Sequence, residues 1–154
     1  MDTALQAMLE MTLHMDNEAV PWAAFTVGET KVLHCDPEKE LIVSIVRAFP
    51  NTETGLHRHL GHAFGYTLKG AWGHDRLFKY TPGVYNYETP GVVHQFLNGP
   101  EVTEVLFINE GVIEFVNPES TDEVTGRLTA ADLLRSYYEA CEEAAIERPT
   151  ILGQ

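Results

Sequence analysis

From Val20 onward, apolar and polar positions alternate in short runs punctuated by glycine and proline, a pattern that predicts strands rather than helices. Val20–Val27, Thr30–Cys35 and Leu41–Phe49 read as the first strands, with Asp36-Pro37-Glu38-Lys39 as the turn between the second and third. Leu41–Phe49 is the most strand-like run of the chain. Pro50-Asn51 and Thr54-Gly55 end it before a short extended segment carrying His57 and His59. Ala63–Lys69, Ala71–Tyr80, Val84–Thr89, Val92–Leu97, Glu101–Asn109 and Val112–Asn117 follow, separated by Gly70, Pro82-Gly83, Pro90-Gly91, Asn98-Gly99-Pro100 and Glu110-Gly111. Many short strands with such turns predict a β-sandwich or barrel.

Both ends change period. Leu5, Met8, Leu9 and Leu13 recur at helical spacing with Thr3 as a possible cap, which predicts a short amphipathic helix or lid within an N-terminal arm, residues 1–19. The methionines there (Met1, Met8, Met11, Met15) suit adaptable packing against the domain or a partner subunit. At the other end, Thr129 and Asp132 form a capping-box variant that opens a helix running to about Glu147, before Pro149. Its apolar face, Leu133, Leu134, Tyr137, Ala140, Cys141 and Ala144, predicts that it lies against the domain. The organisation expected is a β-domain over 20–120 and a C-terminal helical segment over 121–154, with no internal domain boundary.

Composition narrows the partners. A chain of 154 residues with 44% hydrophobic content suits one core. Its 23 acidic against 10 basic residues give a formal net charge of −13, which argues against nucleic acid and against an anionic membrane surface. No apolar run approaches the ~20 residues of a membrane span, and Met1-Asp2-Thr3-Ala4 does not begin a signal peptide. Cys35 and Cys141 are far apart and in no ligand spacing, so free thiols and a cytoplasmic location are expected.

The chemistry lies in the histidines. His57 and His59 are two residues apart on an extended segment, so they share a face. His94, after the Pro90-Gly91 turn, can return to that face on a neighbouring strand. Three neutral imidazoles without a cysteine predict one divalent metal with open coordination positions.

These residues carry a resemblance. Gly55, His57, His59 and Gly70 match the first motif of the cupin superfamily, with Ala63 where a glutamate is expected. Pro82-Gly83, Gly91, His94 and Asn98 match the second, with Thr89 replacing one proline and Pro90 adjacent. The motifs cover residues 50–98. The contexts around His57, Tyr66–Trp72 and Tyr85–His94, with Val20-Pro21-Trp22 upstream, resemble the cupins grouped with 2,4'-dihydroxyacetophenone dioxygenase and, more distantly, acetylacetone-cleaving dioxygenase.

The resemblance implies an all-β, single-domain cupin jelly roll (a double-stranded β-helix) with one divalent metal per subunit. Fe(II) is preferred, with Zn, Ni or Mn as alternatives, held by His57, His59 and His94. It also implies a dioxygenase that uses O2 to cleave a carbon–carbon bond of a small diketone or hydroxyketone. The alternatives are a non-catalytic zinc-binding sensor of the kind attached to anti-sigma factors, and a cupin isomerase or hydrolase. Without the motif glutamate the site reads as three histidines, and Ala63, Gly65 and Thr67 on the inner face should leave room for substrate. Tyr66, Trp72 and Phe96 are candidate cavity aromatics. Asp75 is the nearest candidate for an additional carboxylate, and Glu88 lies either at the surface or against a ligand histidine. His74 belongs to the cavity or the outer face, and His62 to an exposed turn. A homodimer or higher homo-oligomer is expected, since pairing would protect the sheet edges.

Overall fold

The computed structural model describes residues 2–154. Twelve strands and two α-helices are present in it: α1 (Thr3–Leu9), β1 (Ala23–Phe25), β2 (Gly28–Asp36), β3 (Leu41–Ala48), β4 (His57–His59), β5 (Ala63–Lys69), β6 (Trp72–Gly73), β7 (Tyr85–Glu88), β8 (Val93–His94), β9 (Leu97–Asn98), β10 (Thr103–Glu110), β11 (Ile113–Asn117), β12 (Ser120–Leu128) and α2 (Ala130–Glu143). A six-stranded sheet in the order β1-β2-β3-β10-β5-β7 faces a four-stranded sheet, β12-β11-β4-β8, and β6 pairs with β9 in a short ribbon. Every strand pair is antiparallel. This is the jelly roll that the resemblance implied.

Pairing lines up the inward side chains. Residues directly opposite one another share a face, so Ile42, Asn109, Ala63 and Glu88 form one row across β3, β10, β5 and β7. Ser44, Phe107, Gly65 and Asn86 form the next row. Two apolar clusters flank these rows. Trp72, Phe96, Val27, Val46 and Val105 fill one end of the sandwich, while Val32, Ile42, Leu134, Tyr137 and Ile151 join α2 to the sheet. Each such large side chain contributes about 1.5–3 kcal/mol on burial.

Several elements differ from the sequence expectation, each for a local reason. Val20–Val27 shortens to β1. Of Ala71–Tyr80 only β6 is strand: Asp75 Oδ1 accepts from Leu77 N at 2.8 Å, and Phe78 takes a left-handed φ of 46°, so the chain turns away. Val92–Leu97 divides into β8 and β9, which belong to different sheets. The C-terminal segment over 121–154, in which a helix was expected from Thr129, begins with β12, for which no strand was predicted. That strand is exposed along most of its length and lies at a sheet edge, so no apolar alternation marks it.

At the termini, Asp2 rather than Thr3 caps α1, accepting from Ala4 N at 3.1 Å. No described residue of α1 is buried, and none of the described residues of the arm lines the internal cavity. The capping box of α2 forms as expected, with Thr129 N donating to Asp132 Oδ2 and Asp132 N to Thr129 Oγ1. Cys35 and Cys141 are buried free thiols. Among the described residues, no helix is long and apolar enough to cross a membrane.

Candidate metal centre

β4 turns His57 and His59 inward, and β8 lies antiparallel beside it with His94 directly opposite His57. Ring centroids are separated by 5.4 Å for His57–His59, 4.7 Å for His57–His94 and 5.2 Å for His59–His94. One nitrogen from each ring lies within 4.8 Å of the others. His57 Nδ1 donates to Gly55 O at 2.8 Å, which leaves the Nε2 lone pair free. Buried His94 Nε2 makes no hydrogen bond.

The carboxylate missing at Ala63 is present one strand away. Glu88 on β7 is the direct cross-strand partner of Ala63, and its side chain enters the cluster over the alanine methyl. Its Oε2 lies 3.0 Å from His59 Nε2 and 3.4 Å from His94 Nε2. Glu88 therefore stands against two of the three histidines, which is one of the two places the sequence left open for it. Asn86, the next inward residue of β7, approaches Glu88 Oε1 with Nδ2 at 3.5 Å. Its carboxamide occupies the space where a Cβ at Gly65 would stand, 2.4 Å from that position. The room expected beside Gly65 is thus filled by Asn86.

His74 joins the cluster from the loop after β6. Its ring stacks on His94 with centroids 4.4 Å apart and planes 3° apart. Nδ1 donates to Gln95 O at 2.8 Å, turning Nε2 toward Glu88 Oε1 at 3.4 Å.

Burial holds His94 down to about 4 and lowers His57 as well, so both are neutral donors near neutral pH. Burial alone would raise Glu88, but His59 and His74 against its oxygens overcome that and hold the carboxyl well below the usual carboxylate range. Burial likewise opposes protonation of His74, yet Glu88 and the Gln95 carbonyl raise it above the ordinary histidine value. The converging nitrogens of His57, His59 and His94, the last with an orphaned Nε2, and an ionised carboxylate against two of them fit a divalent cation.

Beside the cluster a cavity of about 280 Å³ runs between the sheets toward α2, lined by Val27, Trp72, Phe96, Phe107, Phe115 and Leu133 among others. Trp72 and Phe96 stack at 4.8 Å, and Trp72 Nε1 donates to Thr67 Oγ1 at 2.9 Å. These two aromatics stand where the sequence suggested. Tyr66 does not: it lies on the outer face opposite Tyr85. Asp75 is exposed in its turn, and His62 is exposed with Nδ1 2.7 Å from the Tyr87 hydroxyl, so neither reaches the cluster. Asn86, Phe107 and Phe115 were not singled out in the sequence, and Leu133 was read as helix packing rather than as cavity lining. Strand alternation marks Phe107 as inward once Val105 is placed, whereas Leu133 needed the docking of α2.

Residues 10–114 match the family described as ChrR Cupin-like domain. The chain belongs to that family. No curated protein matches this cupin. Among solved structures, it is similar to a protein of unknown function with a cupin-like fold from Ralstonia eutropha JMP134, at 25% identity, 93% coverage of each chain and a TM-score of 0.81. An acetylacetone dioxygenase from Acinetobacter johnsonii shares the fold at 15% identity, covering 84% of this chain and 91% of its own, with a TM-score of 0.69. The complex of Rhodobacter sphaeroides SigE with the anti-sigma ChrR matches at 16% identity, 71% and 67% coverage and a TM-score of 0.50.

Proposed function

We propose that this cupin is a mononuclear non-haem Fe(II) dioxygenase that cleaves a carbon–carbon bond of a small diketone or hydroxyketone. The observation that carries the reading is the convergence of His57, His59 and His94, with Glu88 against two of them, where His57, His59 and Glu88 form the wall of an apolar cavity large enough for a small organic molecule. Structural metal sites are closed by protein ligands on all sides; this one opens onto space. Bound there, Fe(II) supplies Lewis acidity and electrons toward O2.

The chain's own residues do the rest. The Gly55 carbonyl fixes the His57 tautomer, and the Gln95 carbonyl does the same for His74. His74 holds Glu88 Oε1, which aims Oε2 at the nitrogens of His59 and His94. Trp72, Phe96 and Phe107 keep the reacting end of the cavity apolar and exclude water. One metal per subunit, a homodimer and a cytoplasmic location complete this reading; the free thiols of Cys35 and Cys141 suit a reducing compartment.

A second reading has its own support. The family match is to the ChrR cupin-like domain, and a histidine–carboxylate site suits Zn(II) as well as Fe(II). A zinc-binding sensor without turnover would use the same residues. Metal analysis of protein purified without chelators, paired with O2 uptake on a panel of diketones and hydroxyketones, separates the two. Iron with oxygen consumption is expected; tightly held zinc and no turnover with added Fe(II) would select the sensor.

A further inference from the structure

Asn109 is a polar side chain of the cavity that the metal site leaves unused. β10 turns Val105, Phe107 and Asn109 to one face, and Asn109 lies between Ile42 and Ala63 in the row that ends at Glu88. Four buried polar side-chain atoms lack a hydrogen-bond partner among the described residues: Asn86 Oδ1, His94 Nε2, Asn98 Oδ1 and Asn109 Oδ1. Of those four residues, Asn109 is the one that lines the cavity.

Three other polar groups of the lining are engaged by the backbone. Thr30 Oγ1 donates to Ile45 O at 3.1 Å, Thr54 Oγ1 accepts from Phe96 N at 3.0 Å, and the Tyr137 hydroxyl donates to Pro21 O at 2.6 Å. A buried amide oxygen without a partner is unfavourable, and a leucine of similar shape would remove the penalty. A carboxamide in that position is therefore matched to something that enters the cavity.

Its place in the row says what. Asn109 and Glu88 stand two strand spacings apart, roughly 10 Å between backbones, with only the Ala63 methyl between them. A molecule with one end at the imidazoles can present its other end to Asn109, its body against Phe107, Ile113 and Leu133. We propose that Asn109 is the specificity-determining residue of the cavity, reading a hydroxyl on an otherwise apolar substrate about the size of one substituted ring. The hydroxyl donates to Asn109 Oδ1. The role assigned to Asn109 rests on the reading that the cavity receives substrate beside the metal.

The test uses p-cresol and p-xylene, which differ by a hydroxyl in place of a methyl, titrated calorimetrically into metal-free and Zn(II)-loaded full-length protein. Between wild type and Asn109→Leu, the ratio of p-cresol to p-xylene affinity should fall roughly tenfold or more, with zinc stoichiometry unchanged. The melting temperature should stay level or rise, since an unpartnered amide has been replaced by an apolar side chain. Asn109→Ala, which cannot overfill the site, should lose the preference too.

An unchanged ratio in both variants, a wild-type protein that binds no p-cresol, or a lowered melting temperature in Asn109→Leu together with a retained ratio in Asn109→Ala would overturn the assignment. Because the ratio is read without metal as well, a failure of iron-dependent turnover alone falls on the dioxygenase reading and leaves the Asn109 assignment standing.

Discussion

The two faces of the β5–β7 strand pair invert the usual rule for a sheet. Inward stand Ala63, Gly65, Thr67, Asn86 and Glu88, which are small or polar; outward stand Phe64, Tyr66, Tyr85 and Tyr87, which are aromatic. A sheet face built for packing alone would carry the large apolar residues inside. The inner face here instead accommodates an ionised carboxylate among four imidazoles, and its small residues are what let Glu88 and Asn86 reach across. The inner face is shaped around charged and polar side chains, and the outer leaves its tyrosines exposed.

Removing the imidazoles should have the largest effect. His57→Ala or His94→Ala is expected to abolish stoichiometric metal binding, measured by elemental analysis, while circular dichroism stays that of a β-protein. The sheets and the two apolar clusters make the fold without the metal. An unfolded variant, or one that keeps a full metal complement, would contradict the division of labour between site and core.

Glu88 tests the inner face more finely. Glu88→Gln should weaken metal affinity roughly 10- to 100-fold without loss of fold, the scale seen when groups that orient or complete a site are removed. Joining Glu88→Ala with Ala63→Glu moves the carboxylate back across one strand, to the position the motif assigns it. Partial recovery of affinity in that double variant, against none in Glu88→Ala alone, would show that the two positions address one point. Equal affinity in wild type and Glu88→Gln would exclude the carboxylate from the site.

How much of this was legible follows from what kind of information each part needs. His57 and His59 share a face because side chains alternate, and His94 follows a proline-glycine turn; both facts are local, and the three rings do converge. Glu88 was legible as a carboxylate that could lie against a ligand histidine, but its pairing with Ala63 was not, because that is a register between strands, which no single stretch encodes. Asp75 was a candidate because the resemblance implied a carboxylate in the strand after Gly70, and the turn after Gly73 carries it to the surface. β12 was missed because a strand exposed along most of its length gives no alternation.

Acid should act on the inner face before the outer. In the unfolded chain His57 and His94 take up protons near 6.5, whereas folded His94 resists until about 4. The unfolded state then binds more protons, and the metal-free protein should lose stability as pH falls through that window. Glu88, ionised in the fold well below its ordinary range, adds a further loss as pH drops past 4.5. His74 works in the opposite direction, since its raised value favours the folded state below 6.5. The melting temperature of metal-free protein should therefore fall between pH 6.5 and 4, and His94→Gln should flatten the slope. A melting temperature that rises across the window would refute the balance.

The smallest effect on the site is expected from the outer face, and it bears on assembly. Tyr66, Tyr85 and Tyr87 are 45%, 60% and 46% exposed, and β7 is an edge strand of the six-stranded sheet. A second copy meeting this face would cover the aromatics and protect the edge at once, in the closed two-fold arrangement commonest for such chains. Tyr66→Ser with Tyr85→Ser should shift light scattering from dimer toward monomer at micromolar concentration, while metal content stays at the wild-type value. The melting temperature of the separated chain should move little, as exposed substitutions usually change stability by about 0.5 kcal/mol or less. A wild-type protein that scatters as a monomer would remove the assembly role from this face. A double variant that stays dimeric would move the contact elsewhere, to the exposed methionine-rich arm around Met8 and Met11 as the next surface to truncate.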